Sequence, residues 1–536
     1  LDCPICDQGG ECDLQDQAMA YGRDRSRFDQ EKRAVPEKNM GPLIKTFMTR
    51  CIHCTRCIRF AEDIAGVPEL GAIGRGENTE ITSYLDQPFS SELSGNIVDL
   101  CPVGALTARP TAFKGRPWEL KKTRTIDVMD AVGSHIRVDT YGPVVRRILP
   151  ALHEEINEEW ISDKTRHACD GLRHQRLDRP FLRKKGKLEP VSWDEALSHV
   201  AQKLRQAPPE RIGALAGDMV DVETMTTVKD LFKSLGSANY DCRHHEDLDA
   251  TDRSKYIFNT SIAGIEKADL CLLIGTHPRF EAPIINARIR KHYSSSGLNV
   301  YRIGLPPLYK AQELTYPVHE LGPSPSLLTS ILEGSHPFAH QLENAQRPML
   351  ILGMQVLKRE DAQAIVTTAA AIAEKYMIKA GWNGFNVLHQ AAARVGGLDI
   401  GFVPSKGGLE SAGMLKHNAL DVLYLLGADE FDFSSLSPDT YVIYQGHHGD
   451  KGAKQADVIL PGYAYTEKNA TYVNTEGRVQ RTYQACQGPG EAKEDWTIVR
   501  ALSDQLGSPL DYNTLTEVRQ RMCEINPIFA TVDLLQ

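Results

Sequence analysis

The sequence has no long apolar run. Its longest, such as residues 270–274 and 422–426, fall far short of the roughly 18 residues a membrane-crossing helix needs, so no direct membrane span is expected. An excess of positive charge is missing too: 61 Lys and Arg stand against 70 Asp and Glu, a formal charge of −9. A general nucleic-acid binder needs a basic surface, so that class is set aside. Cysteine is scarce over most of the chain: Cys169, Cys242, Cys271, Cys486 and Cys523 are the only ones after residue 101, each isolated, and a lone cysteine is usually a small inert core residue. A secretory leader pattern is also lacking, and disulfide frameworks belong to small secreted domains. A disulfide scaffold is therefore excluded. The first residue is Leu1 rather than Met, two positions before a cysteine motif, and we expect the natural N-terminus to lie upstream.

What is present is concentrated. The chain has 536 residues, enough for three to five domains, yet seven of its twelve cysteines fall within the first 101 residues. Cys51-Ile-His-Cys54-Thr-Arg-Cys57 is C-x2-C-x2-C, followed by a distant Cys101-Pro102. Bacterial-type ferredoxins hold [4Fe-4S] clusters with three closely spaced cysteines and a remote Cys-Pro. In a two-cluster ferredoxin, ligands of the second cluster would fall at Ala61, Ile97, Ser94 and Ser91, none of them a thiol, so one cluster is retained. Structural zinc is the alternative, although four-thiolate zinc sites usually use two C-x2-C knuckles. Arg50, His53, Arg56 and Arg59 crowd the loop, where positive charge raises a cluster's potential; a solvated basic face is the plainer account. A second group, Cys3-Pro-Ile-Cys6-Asp-Gln-Gly-Gly-Glu-Cys12, is C-x2-C-x5-C, with Gly9 and Gly10 allowing a tight loop. It offers three ligands where a closed site wants four.

These motifs, with Met48-Thr-Arg before Cys51 and Ser94-Gly-Asn-Ile-Val-Asp-Leu before Cys101, closely resemble the large (75 kDa-type) iron-sulfur subunit of respiratory complex I, the proton-translocating NADH:ubiquinone oxidoreductase. The resemblance implies two [4Fe-4S] clusters. One would be held by Cys3, Cys6, Cys12 and a histidine two positions before Leu1, the other by Cys51, Cys54, Cys57 and Cys101. A [2Fe-2S] cluster would belong to a further N-terminal domain not contained in this chain. It also implies an electron-transfer role with no substrate-converting site on this chain. Its partners would be other peripheral-arm subunits, the flavin- and NADH-binding subunit and downstream iron-sulfur subunits. Its place would be the matrix side of the mitochondrial inner membrane, or the cytoplasmic face of an alphaproteobacterial membrane.

From about residue 121 short apolar runs ending in Gly (268–275, 421–427) alternate with helical stretches such as 360–375, the pattern of buried parallel strands in α/β domains. At least two doubly wound units are expected. Residues 456–480 resemble molybdopterin-dependent oxidoreductases such as formate dehydrogenases, where strand-end Gly loops lie near phosphates. That family opens with a cluster motif, and its register here puts Asp127, Asp130, Ser134 and Ser162 where thiolates would be. Oxygen ligands are poor for iron-sulfur, so these positions read as vacated. In the stretch where the resemblance would place the molybdenum ligand, residues 252–264, there is neither Cys nor His. Cys271 reads as core; Cys242 precedes His244 and His245 without motif spacing, and the His pair reads as a polar loop. No molybdopterin is expected. Lys164, Arg166, Arg173, Arg176 and the run 183–185 suit either phosphates or an exposed docking face.

The expected architecture is thus an α+β ferredoxin-like head followed by a multi-domain α/β, molybdopterin-oxidoreductase-like region. Its divisions are 1–45 for the first cysteine segment, 46–120 for the ferredoxin-like domain, 121–205 for a vestigial cluster region, and 206–536 for α/β domains without metal ligands. An electron-transfer subunit is the leading reading. A molybdopterin oxidoreductase acting on a small acid and a non-catalytic scaffold with zinc in the head are the alternatives.

Overall fold

The computed structural model describes residues 2–244, 246, 248–304 and 314–535; His245, half of the His244-His245 pair, lies outside them. The head is built by closing its ends on each other. Strand Ile44–Thr46 pairs antiparallel with Leu106–Ala108, and Phe47 donates its N–H to Ala105 O at 2.8 Å. This brings the loop that begins at Cys51 beside Cys101. Helix Asn96–Leu100 ends at Cys101, where the following proline bars helix continuation. The positions of the missing second cluster are filled: Ala61, Ser91, Ser94 and Ile97 are all buried, and Ser94 Oγ donates to Asp163 Oδ2 at 2.5 Å.

The remainder contains the two doubly wound units that the strand pattern predicts. A five-stranded, all-parallel sheet has the spatial order His319–Gly322, Asn299–Ile303, Leu270–Ile274, Pro348–Gly353, Phe385–Leu388. A seven-stranded sheet runs Asn239–Asp241, Ile212–Ala216, Val422–Leu426, Tyr441–Gly446, Val458–Pro461, Phe181–Lys184, Lys187–Pro190, parallel except where its last two strands join antiparallel. The strands nearest the centre, Leu270–Ile274 and Val422–Leu426, are buried at every residue, as a sheet covered on both faces requires. The helical stretch appears as Ala362–Ile372.

In each sheet the strand order reverses beside a central strand, and that switch point is where doubly wound folds usually leave a crevice for ligands. Here glycines close it. A Cβ on Gly217 would lie 2.1 Å from Gly427 O, and one on Gly353 would lie 2.4 Å from Gly275 O. The strand-end glycines let two backbones touch. Between head and sheets stands a three-stranded antiparallel sheet, Lys121–Ile126, His135–Tyr141 and Val144–Pro150.

Candidate metal centre

The CIHCTRC loop turns tightly because His53 (φ 53°) and Thr55 (φ 60°) adopt left-handed backbone, a conformation uncommon outside glycine. The turn aims His53 N–H at Cys51 Sγ, 3.4 Å away. Cys51, Cys54, Cys57 and Cys101 then line one pocket with Met48, Ile81, Pro102 and Leu106. Converging there, the thiols act on one another. Burial, and after it the nearby Cys101, Cys51 and Cys54, push the Cys57 thiol up to about 12. Burial also raises Cys51 and Cys101, against backbone N–H donors that favour their thiolates. Three such groups cannot all ionise side by side unless a cationic centre compensates them. Four thiols converging on one pocket, three of them from one C-x2-C-x2-C loop and the fourth from a remote Cys-Pro, are the donor set of a polynuclear iron-sulfur group.

Cys3 opens a short 3-10 turn, Cys3–Ile5; Cys6 is buried, Cys12 half-buried and Cys3 exposed. This loop packs on the far side of the segment that follows Cys101. Cys12 Sγ lies 3.5 Å from Pro102 O, and a Cβ on Gly104 would lie 2.1 Å from Cys6 Sγ. One stretch of backbone thus carries a thiol of one group and touches two thiols of the other. Arg116 clamps the loop, donating from Nη1 to Cys6 O at 2.5 Å and from Nη2 to Pro4 O at 2.7 Å. Glu11, next to Cys12, accepts a two-pronged ion pair from Arg147 at 2.7 and 2.8 Å, which ties the loop to the three-stranded sheet. Sequence reasoning missed Gly104, Arg116 and Arg147. Gly104, two residues after Cys-Pro, carried a local signal; the arginines carried none, since their partners are distant in the chain.

Asp127, Asp130, Ser134 and Ser162 are all buried. Asp127 N–H donates to Ser134 O at 2.8 Å, Thr165 Oγ1 donates to Asp127 Oδ2 at 2.9 Å, and Ser162 Oγ lies 2.9 Å from Thr165 Oγ1. Burial, and secondly the Asp130 charge, push the Asp127 carboxyl up to about 7. These contacts link all four buried positions.

The expected basic docking face is corrected in part. Arg166 is buried and pairs with Asp99 at 2.5 Å, Arg176 forks onto Glu467 at 2.7 and 2.6 Å, and Arg183 donates to the carbonyls of Ala456 and Lys454. Guanidinium groups of this kind cross-link distant segments because each satisfies several acceptors at once. Lys164, Arg173 and Lys185 are exposed. Cys271 and Cys242 are buried core residues, and the His244 ring packs 4.6 Å from that of Phe431.

Fold and site together define an iron-sulfur protein whose long region has the molybdopterin-oxidoreductase architecture. Family descriptions divide the chain the same way: "NADH-ubiquinone oxidoreductase-G iron-sulfur binding region" matches residues 1–27, "NADH-quinone oxidoreductase subunit 3, ferredoxin-like domain" 41–107, "NADH-ubiquinone oxidoreductase NDSU1/NuoG-like, 4Fe-4S domain" 120–170, and "Molybdopterin oxidoreductase" 176–505. Among curated relatives, the mitochondrial 78 kDa subunit of NADH-ubiquinone oxidoreductase from Neurospora crassa is 50% identical over 100% of this chain and 72% of its own length. The corresponding NADH-quinone oxidoreductase subunit of Rickettsia bellii is 50% identical over 99% and 76%, and the 75 kDa subunit of Reclinomonas americana 48% over 100% and 79%. The chain belongs to the family of the 75/78 kDa iron-sulfur subunit of NADH-ubiquinone oxidoreductase.

Proposed function

We propose that this chain is an electron-transfer subunit in the peripheral arm of complex I, standing between the NADH- and flavin-binding module and ubiquinone. The observation that carries this reading is the shared segment from Cys101 to Gly104, with one thiol set on one side and the other packed against it. Cys51, Cys54, Cys57 and Cys101 would hold one [4Fe-4S] cluster; Cys3, Cys6 and Cys12, completed by a histidine before residue 1, would hold the other. A [2Fe-2S] cluster would reside in a preceding domain. When bound, such groups exchange single electrons without proton chemistry. The protein's own task is to keep the two sets close, exclude water with Met48, Ile81 and Leu106, and supply N–H donors and positive charge around the sulfurs.

Asp127, Asp130, Ser134 and Ser162 we read as the remains of a further cluster site, and the region from 206 onward as a scaffold without metal ligands that supports neighbouring subunits. The four-part division 1–45, 46–120, 121–205 and 206–536 follows those roles, with strands Phe181–Lys184 and Lys187–Pro190 of the third part lying in the large sheet. Helix Asp13–Tyr21 buries none of its residues, and Ile5, Leu14, Met19, Tyr21 and Phe28 are exposed. Exposed apolar groups gathered on one segment mark a protein interface, here with other peripheral-arm subunits. No helix among the described residues is long and apolar enough to cross a membrane. That suits attachment on the matrix side of the mitochondrial inner membrane, or the corresponding cytoplasmic face in a bacterium.

The test is Cys57→Ala in the assembled complex. Loss of one low-temperature EPR signal, of one cluster's iron and sulfide, and of NADH-to-quinone electron flow is expected. Unchanged electron flow, or a zinc-only EPR-silent head in the unaltered protein, would overturn the reading.

A further inference from the structure

Away from the cysteine-rich head, three side chains from distant parts of the chain meet at one end of the three-stranded sheet. His135 opens strand His135–Tyr141, His153 lies in the turn after strand Val144–Pro150, and Asp533 belongs to the C-terminal segment. One ligand atom from each lies within 4.8 Å of the other two. His135 Nε2 stands 3.8 Å from Asp533 Oδ1, and the two imidazole rings are 4.3 Å apart between centroids. We propose that His135, His153 and Asp533 form a binding site for a borderline transition-metal cation, with zinc the best match, separate from both cysteine groups.

Donor chemistry is the first support. Two imidazoles and one carboxylate, with a fourth position left to water, is a zinc donor set, and without thiolates it does not suit iron-sulfur. Ligand atoms on a tetrahedral ion with bonds of about 2.0–2.1 Å lie roughly 3.4 Å apart, so the present spacing closes with side-chain shifts of about 1 Å. Second, His153 Nδ1 is buried and has no hydrogen-bond partner. A buried polar atom left in that state is costly, and a bound cation would relieve it.

The backbone holds each ligand in place beforehand. His135 N–H donates to Asn157 Oδ1 at 2.9 Å, and Ala151 N–H donates back to His135 O at 3.0 Å. His153 and Glu158 exchange both backbone bonds, at 3.2 and 2.9 Å. Asp533 sits in left-handed backbone, φ 61°, fixed by its N–H on Val479 O at 2.8 Å and by Arg478 Nη1 on its carbonyl at 2.9 Å. Such a conformation in a non-glycine residue persists where its surroundings enforce it.

Charge is also permissive. The cations near His135 are Arg478 and Arg124. Arg478 is already paired with Glu476 at 2.9 Å and Glu155 at 2.5 Å, and with Asp533 the local carboxylates outnumber the cations. Gln480 Nε2 competes for His135 Nε2 at 3.2 Å but also donates to Gly133 O at 2.9 Å, so it keeps one bond when the metal takes the other. Bound there, the ion would staple the C-terminal segment onto the sheet.

The experiment uses the full chain with its iron-sulfur content intact, titrated with Zn2+ alone and, in parallel, with Co2+ as a spectroscopic probe. One zinc per chain beyond the iron is expected, with a cobalt spectrum of nitrogen and oxygen ligands and slower proteolysis of the C-terminal end. Asp533→Asn and His153→Ala are each expected to weaken zinc binding at least about tenfold while iron content and EPR signals stay unchanged. Should His153→Ala not fold, Asp533→Asn decides alone, since that side chain is half exposed and its backbone bonds remain. Equal zinc retention by wild type and Asp533→Asn, no retention by wild type, or a sulfur-to-cobalt charge-transfer band would each overturn the proposal.

Discussion

Gly104 is the residue on which the two thiol groups meet. It is followed by Ala105 and Leu106 of the closing strand, and Cys6 Sγ occupies the space where a side chain would begin. Gly104→Ala is expected to displace the Cys3–Cys12 loop at a cost of about 1–3 kcal/mol, the usual range for overpacking. Iron analysis with EPR should then show loss of the group proposed for Cys3, Cys6 and Cys12 while the signal proposed for Cys51, Cys54, Cys57 and Cys101 persists. Equal loss of both, or of neither, would show that Gly104 does not separate them. At this scale the cysteines were legible because thiol spacing along a loop is a local property. Gly104 showed only its place beside Cys-Pro, because the reason a side chain cannot stand there is the sulfur of Cys6, which is far away in the chain.

The turn between strands Lys121–Ile126 and His135–Tyr141 is tied to helix Asp163–His167 by hydrogen bonds that run from Ser162 through Thr165 to Asp127; on the reading proposed above, these bonds would hold the loop where a cluster once did. A strain remains in the buried Asp127 carboxyl, raised to about 7 by burial and by Asp130. Because its folded-state value lies above the ordinary value of 3.8, the protonated form favours folding. Stability is fully present below the unfolded value and is lost as pH rises through about 7. Asp127→Asn, which keeps an acceptor for Thr165, is therefore expected to raise thermal stability at pH 8 by on the order of 2 kcal/mol and to flatten its pH dependence between the ordinary value of 3.8 and about 7. A lower melting temperature for Asp127→Asn at pH 8 would contradict this account. The sequence register alone located these four positions; the antiparallel pairing of the two strands brings Asp127 onto Ser134, and the packing of helix Asp163–His167 brings Ser162 to them through Thr165.

For the whole molecule, the division between a redox head and a long α/β body has an energetic side. The body's strands Leu270–Ile274 and Val422–Leu426 are buried at every residue, and glycines at the strand ends let backbones approach closely at both switch points. Five exposed large apolar residues, Ile5, Leu14, Met19, Tyr21 and Phe28, lie on the N-terminal segment around helix Asp13–Tyr21. Met19→Glu with Tyr21→Glu is expected to leave the melting temperature of the isolated chain within about 1 °C, since surface changes move stability by about 0.5 kcal/mol or less. The same pair should reduce incorporation into the assembled complex several-fold on native gels. Normal incorporation would place the interface elsewhere. Element type, the doubly wound class and both thiol motifs were determined by the sequence alone, because periodicity and ligand spacing are written along the chain. Only tertiary structure decided which arginines became internal braces, that the two thiol groups share one backbone segment, and that His135, His153 and Asp533 meet. Those facts depend on contacts between residues tens to hundreds of positions apart, which burial and hydrogen bonding select only once the chain has closed on itself.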